Sequence, residues 1–233
     1  MNERRVGDLR LSRVFELWLP ISRQSFFPDT TDGDWAPHTE WLAAENGYDL
    51  DSHKVILPVQ SYVVHTSHHT ILFDTCIGND KQRPDRPDWH EQSDHTYMQN
   101  LATLGLRCED IDFVMCTHLH IDHVGWNTKW VNGKWVPTFP NAKYLISQKE
   151  LDIFKVEDHL TSSASLVDRV LPVVESGQAE LITSDYALDD EVWLESTPGH
   201  TPDHYALRLA SADQDAVLGG DLIHSPVQCL HPE

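Results

Sequence analysis

Hydrophobic and polar positions alternate around Val14, Phe15, Leu17, Trp18 and Leu19, and this predicts a strand over residues 11–21. Val55–Thr66 and Thr70–Asp74 predict two more strands, joined by a tight turn through Ser67-His68. Ser93 and Asp94 cap an expected helix running to about Leu104, with Met98, Leu101 and Leu104 on one face. Ile111–Cys116 is apolar except for Asp112 and predicts a buried strand. Residues 129–136 read as a hairpin turning on Asn132-Gly133, and Ala142–Ile146 as a further strand. Ser147-x-x-Glu150 has the spacing of a capping box that opens a helix, and one or two helices are expected within 158–176. Short strands are expected near 179–183, 191–196, 204–210 and 216–219. Residues 24–52, with Pro28, Asp32-Gly33-Asp34 and Pro37, read as irregular. Their aromatic residues Phe26, Phe27, Trp35 and Trp41 suit a lid, an oligomer contact or simple packing over a sheet edge. This periodicity alone gives a mixed α/β protein. No repeat of solenoid period is present.

The run Thr117-His118-Leu119-His120-Ile121-Asp122-His123 follows the buried strand directly. Three imidazoles and a carboxylate are a donor set suited to zinc and neighbouring transition metals. On an extended segment, side chains at i and i+2 share a face, so His118 and His120 can point the same way. Asp122 and His123 are adjacent and point in different directions, so one short loop can serve two ions. The chain holds 15 histidines, which makes clusters easier to form by chance, but a solvated polar loop does not explain this spacing. His65, His68 and His69 read instead as exposed turn residues.

An H-x-H-x-D-H run after a strand resembles the metallo-β-lactamase superfamily of metallo-hydrolases. Phe73-Asp74-Thr75-Cys76-Ile77-Gly78 upstream is similar to the family's Asp-Thr turn. Thr197-Pro198-Gly199-His200-Thr201-Pro202 is similar to its T-P-G-H-T loop, and Leu218-Gly219-Gly220-Asp221 to its G-D motif. The four blocks stand in the family's order over about residues 55–230. The loop His118–Trp126 and the stretch Gly220-Asp221-x-x-His224 look most like the branch of quorum-sensing lactonases and organophosphate hydrolases. The resemblance implies an αββα sandwich of two mixed sheets flanked by helices, as one domain over 1–233 with an N-terminal extension of about residues 1–52.

By the same resemblance, His118, His120 and His200 would hold one divalent ion, Asp122 and His123 a second, and Asp221 would bridge the two. Zinc is the first expectation, with iron, manganese and cobalt as alternatives. Two such cations acidify a shared water, and the metal-bound hydroxide attacks a small ester, lactone or related substrate. Asp122 and His224 are the candidate catalytic residues. His224 stands where related lactonases carry a tyrosine that steadies the substrate oxygen, and a plain structural histidine is the competing reading. Asp74 reads either as the partner of a ligand imidazole or as an end-of-strand turn residue. Trp126 reads as a pocket wall or as core.

One departure from the family is expected to matter. Relatives supply a further histidine to the second metal some tens of residues beyond the bridging Asp, whereas this chain ends at Glu233. The sequence therefore reads as truncated, without the fold's last strand and helix, with His231 as a weak substitute ligand and one sheet edge exposed.

Charge narrows the function. Seventeen basic and 37 acidic residues give a net charge of −20. Such a surface repels phosphate backbones and speaks against nucleic-acid partners. No apolar run reaches a membrane span, no apolar signal core follows Met1, and Cys76, Cys108, Cys116 and Cys229 lack paired-motif spacing. A cytoplasmic hydrolase of small molecules, able to form a homodimer, is expected. The alternatives are a glyoxalase-II-like thioester hydrolase and a truncated, non-catalytic metal-binding member.

Overall fold

The computed structural model describes residues 3–160, 166–183 and 185–231. Its strands are β1 (Glu3–Val6), β2 (Leu9–Ser22), β3 (Tyr48–Asp49), β4 (Lys54–His65), β5 (Thr70–Phe73), β6 (Phe113–Met115), β7 (Thr128–Val131), β8 (Lys134–Pro137), β9 (Lys143–Ser147), β10 (Ala179–Ile182), β11 (Val192–Ser196), β12 (Tyr205–Ser211) and β13 (Gln214–Leu218). The helices are α1 (Arg23–Phe26), α2 (Asp32–Trp35), α3 (Thr39–Ala44), α4 (Thr96–Thr103), α5 (Gln148–Leu160), α6 (Leu171–Glu175) and α7 (Val227–Leu230). The protein is mixed α/β, as expected. Among the described residues, no helix is long and apolar enough to cross a membrane.

The chain divides into two units. The first comprises residues 1–16 and 60–222, the second residues 17–59 and 223–233. Residues 1–52, which the sequence presents as an extension, are thus shared between them.

In the first unit the large sheet runs β1-β2-β4-β5-β6-β9-β10, and a second sheet runs β11-β12-β13. Strands β5, β6, β9 and β10 are parallel. Parallel strands are buried on both faces, which is why Phe113–Met115 is apolar without alternation. Val64, Ile71, Phe73, Met115 and Leu145 of the large sheet pack against Val192, Leu194, Tyr205, Leu207 and Leu209 of the small one. The alternate residue Ser61 points to the opposite face, where its hydroxyl bonds the Tyr97 hydroxyl of α4 at 3.0 Å. The outer face of the small sheet carries Arg208 beside Glu195 and Asp215. The expected hairpin is β7–β8, with both Asn132 and Gly133 at positive φ.

Three local expectations need correction. Residues 24–52 are not irregular but hold α1, α2 and α3. Thr31 and Asp34 form a reciprocal capping box on α2, and helices this short show no periodicity. The helix expected to open after Ser147 is α5, Gln148–Leu160, but of the one or two helices expected within 158–176 α6 starts only at Leu171, and residues 161–165 lie outside the described ones. Ser147-x-x-Glu150 is only half a capping box. The Ser147 hydroxyl accepts the Glu150 N–H at 3.0 Å, but the Glu150 carboxylate accepts the Asp203 N–H at 2.8 Å.

The second unit has its own core of Trp35, Leu42, Tyr48, Val55 and Val227, with Phe27 and Leu57 against it. Trp35 is 2% exposed, and its indole N–H donates to Thr30 Oγ1 at 2.9 Å, so this aromatic residue is core.

Candidate metal centre

Strand register puts the candidate residues together. Phe73 of β5, Met115 of β6 and Leu145 of β9 lie side by side. The chain beyond β5 and β6 therefore emerges at one edge, carrying Asp74 and the run from Thr117. The residues of the T-P-G-H-T loop connect β11 to β12, and Asp221 follows β13, so the small sheet brings His200 and Asp221 from the other side. Tyr205 N–H donates to Thr117 O at 3.0 Å and ties the two sheets at this point.

One ligand atom each of His118, His120, His200 and Asp221 lie within 4.8 Å of one another. His200 Nε2 is 2.8 Å from His120 Nδ1 and 3.2 Å from Asp221 Oδ2. His118 Nε2 is 3.9 Å from the same carboxylate oxygen. The other oxygen, Asp221 Oδ1, is 3.1 Å from His123 Nε2, which in turn is 3.9 Å from Asp122 Oδ2. Asp221 therefore presents one oxygen to the quartet and one to the Asp122–His123 pair. This is the disposition a bridging carboxylate needs.

Hydrogen bonding sets the imidazole tautomers. The Thr117 hydroxyl lies 3.0 Å from Asp74 Oδ2 and 2.9 Å from His118 Nδ1. A carboxylate only accepts, so the hydroxyl gives it the proton and receives one from His118 Nδ1–H. That leaves a lone pair on His118 Nε2, a buried atom with no hydrogen-bond partner among the described residues. An orphaned buried acceptor beside two imidazoles and a carboxylate fits a cation. Asp74 Oδ2 also stands 2.8 Å from His123 Nδ1. The structure thus makes Asp74 the common hydrogen-bond partner behind both imidazoles, more than a turn residue.

The electrostatics agree. Burial, reinforced by the neighbouring imidazoles, holds His118 well below the usual histidine range. Burial and then His200 push His120 down to about 4. Neutral imidazoles are what a metal requires. His123 differs. Burial is the largest single influence and lowers its pKa, yet Asp74, Asp221 and Asp122 together raise it well above the ordinary value. Three carboxylates around one imidazole mark a place for positive charge.

Several positioning residues are not visible in the sequence reading. His204, fully buried, lies just before β12. Its Nε2 accepts the Asp221 N–H at 3.2 Å, while Nδ1 is 2.8 Å from the Thr197 hydroxyl. Burial pushes it down to about 4, so it stays neutral and orients Asp221. Its only signal is a position four residues after His200. Glu16 of β2 accepts the N–H groups of Ile77 and Gly78 and the indole N–H of Trp126, at 2.8, 3.2 and 2.6 Å. Trp126 is 5% exposed and stacks on Tyr97, so it is core and not a pocket wall. Gly125 lies so close to Ile77 O that a Cβ would sit 1.8 Å from it. The ligand loop thus rests directly on the Cys76–Gly78 segment.

His224 and His231 belong to the second unit. The His224 ring meets Phe26 edge-on at 4.8 Å, and the His224 backbone N–H donates to Gln228 Oε1. His231 Nε2 is 2.9 Å from His38 Nε2. All four cysteines are free.

This fold and constellation define a class. The chain belongs to the metallo-beta-lactamase superfamily, whose family model matches residues 56–230. It is 26% identical over 174 residues to an N-acyl homoserine lactonase of Bacillus sp, covering 70% of this chain and 62% of that protein. It is 31% identical over 121 residues to the probable metallo-hydrolase YybB of Bacillus subtilis (strain 168), covering 51% of this chain and 49% of that protein. The chain thus spans 62% of the length of the lactonase it matches. Among solved structures, a probable metal-dependent hydrolase from Staphylococcus aureus superposes with a TM-score of 0.74 at 19% identity, over 93% of this chain and 74% of that one. AidC, described as a dizinc quorum-quenching lactonase in complex with a product, superposes with a TM-score of 0.67 at 20% identity, over 92% and 72%. The family and fold class read from the four motifs are borne out.

Proposed function

We propose that this protein is a metal-dependent hydrolase that opens the ring of a lactone, with N-acyl homoserine lactones as the first substrate class to test. The observation that carries the reading is the convergence of His118, His120, His200 and Asp221 within 4.8 Å, around an imidazole nitrogen with no hydrogen-bond partner among the described residues. His118, His120 and His200 would hold one divalent ion and Asp122 and His123 a second, with Asp221 shared between the two sets and zinc as the expected metal. Bound metal supplies Lewis acidity toward the carbonyl oxygen and acidifies water for attack. The protein supplies orientation and proton handling. Asp74 fixes His123 directly and His118 through Thr117. His204 fixes the Asp221 backbone. The Asp122 side chain, 26% exposed, is open to solvent at the edge of the cluster. Its carboxylate can take a proton from attacking water and return it to the leaving alkoxide oxygen. The similarity to lactonases supports the substrate class.

The test is elemental analysis of protein purified without added metal, followed by proton release from lactone, aryl ester, aryl phosphotriester and thioester panels. About two ions per chain are expected. Lactone turnover should fall at least about a hundredfold in His118→Ala and Asp122→Ala. Faster turnover of the thioesters would replace the lactone reading. One ion or fewer, with no turnover on any panel, would overturn the hydrolase.

A further inference from the structure

Away from the histidines, the first unit buries a second charged cluster. Lys81 and Arg169 are fully buried, and Asp168 and Arg83 are 6% and 8% exposed. The Lys81 ammonium is satisfied. It donates to Thr128 Oγ1 at 2.6 Å, Asp168 O at 2.8 Å and Thr128 O at 3.3 Å, and lies 3.5 Å from the centre of the Trp135 ring. Burial pushes its pKa down to about 6. Two guanidinium groups then face one carboxylate. Arg83 takes that carboxylate, with NH2 2.7 Å from Asp168 Oδ1, and Arg169 Nε stands 4.0 Å from the same oxygen.

The donors do not balance either. Arg169 Nε, NH1 and NH2 and Arg83 Nε are buried with no hydrogen-bond acceptor among the described residues. A guanidinium has five N–H donors and cannot accept, and each orphaned charged donor is costly in a low-dielectric interior. Arg83 weighs on Arg169 more than Asp168 does, while Asp122 and Glu16 act more weakly still. Net charge and missing acceptors point to the same remedy, one acceptor carrying one negative charge.

We propose that Arg169, with Arg83, forms a buried site for a single small monovalent anion of the halide class, chloride under physiological conditions. The charge of the anion follows from the excess of one guanidinium over carboxylate. Its small size follows from the complete burial of Arg169, which also separates the site from any substrate carboxylate. Bound there, the anion would tie the turn at 166–170 to the segment 81–83 and to Thr128. The site uses none of the proposed metal ligands and stands whether or not the lactone reading holds.

Two measurements on the full chain test it. The first is thermal unfolding at constant ionic strength while gluconate, too bulky to enter, is exchanged for chloride or bromide. A saturable rise in Tm of roughly 5 °C is expected at about a hundred times Kd. It should vanish in Arg169→Met, which keeps the length of the side chain and removes its charge. The second is anomalous diffraction from crystals of the unmodified protein in bromide, with a peak expected within hydrogen-bonding distance of Arg169. A response that does not saturate, or one equal in Arg169→Met, would overturn the proposal. So would water alone against the guanidinium. If the variant does not fold, the halide titration and the bromide map of the unmodified protein decide.

Discussion

Asp74 Oδ2 lies 2.8 Å from His123 Nδ1, and the same carboxylate accepts the N–H and the hydroxyl of Thr117, the residue next to His118. One side chain therefore sets the tautomer of two imidazoles that sit on opposite sides of Asp221. Its backbone is at φ 56, a left-handed conformation that Asp tolerates better than most residues. An anion at this place holds both Nδ1 atoms protonated and leaves both Nε2 atoms directed at the Asp221 carboxylate.

Asp74→Asn keeps the shape but removes the charge, and an amide can present N–H where the carboxylate only accepts. Metal affinity is expected to fall about 10–100-fold, the range found for partners one shell out from a metal. Competition with a chelator of known affinity measures this directly, and circular dichroism checks that the fold is kept. Unchanged affinity would mean that Thr117 and Asp221 orient the imidazoles without Asp74.

The buried Lys81 predicts a pH dependence of stability. Its pKa falls from 10.5 in the ordinary state to about 6 in the fold. Between these values the unfolded chain binds a proton that the folded chain does not. Stability therefore rises with pH across that window, and the destabilisation is complete below about 6. The limiting slope from one such group is about 1.4 kcal/mol per pH unit. Urea unfolding of the parent and of Lys81→Met at several pH values isolates this share. The gap between the curves should favour the parent increasingly from pH 6 toward 10. A constant gap would mean that the ammonium keeps its proton on folding, held by Asp168 and the face of Trp135.

The fold and the candidate His/Asp cluster were legible for one physical reason. Strand alternation and metal-ligand spacing are both short-range patterns, written within a few residues. His118, His120, Asp122 and His123 stand together in the chain. His200 and Asp221 come from the other sheet, and could be read only because the motifs around them resemble a family. Residues that act through distant contacts left no local mark. Glu16 reaches Trp126 across 110 positions, and Glu150 reaches Asp203 across 53. The half capping box shows the limit well, since its spacing was right while its glutamate had a stronger use elsewhere. Short helices such as α2 complete barely one turn, too little for a period of 3.6 to appear. Arg169 and Lys81 are charged residues that sequence alone would place at the surface, and only packing reveals them as buried.

Gly220, just before Asp221, offers the sharpest test of how closely the site is packed. It adopts φ +53, and a Cβ there would sit 2.7 Å from Thr117 Cγ2 and 2.9 Å from His204 Nε2. Neither neighbour can yield cheaply. The Thr117 hydroxyl links His118 to Asp74, and His204 Nε2 accepts the Asp221 N–H. Gly220→Ala therefore adds the cost of a left-handed alanine, about 1 kcal/mol, to a clash that displaces one of two groups holding metal ligands. A fall in Tm of about 5–10 °C and weaker metal retention are expected together. Gly219→Ala is the control, because its Cβ would meet nothing nearer than Leu222 Cβ at 3.6 Å, an ordinary contact. That variant should stay within about 2 °C of the parent. If Gly220→Ala behaved like Gly219→Ala, in stability and in metal retention alike, the contact between Gly220, Thr117 and His204 would not be what holds Asp221 in place.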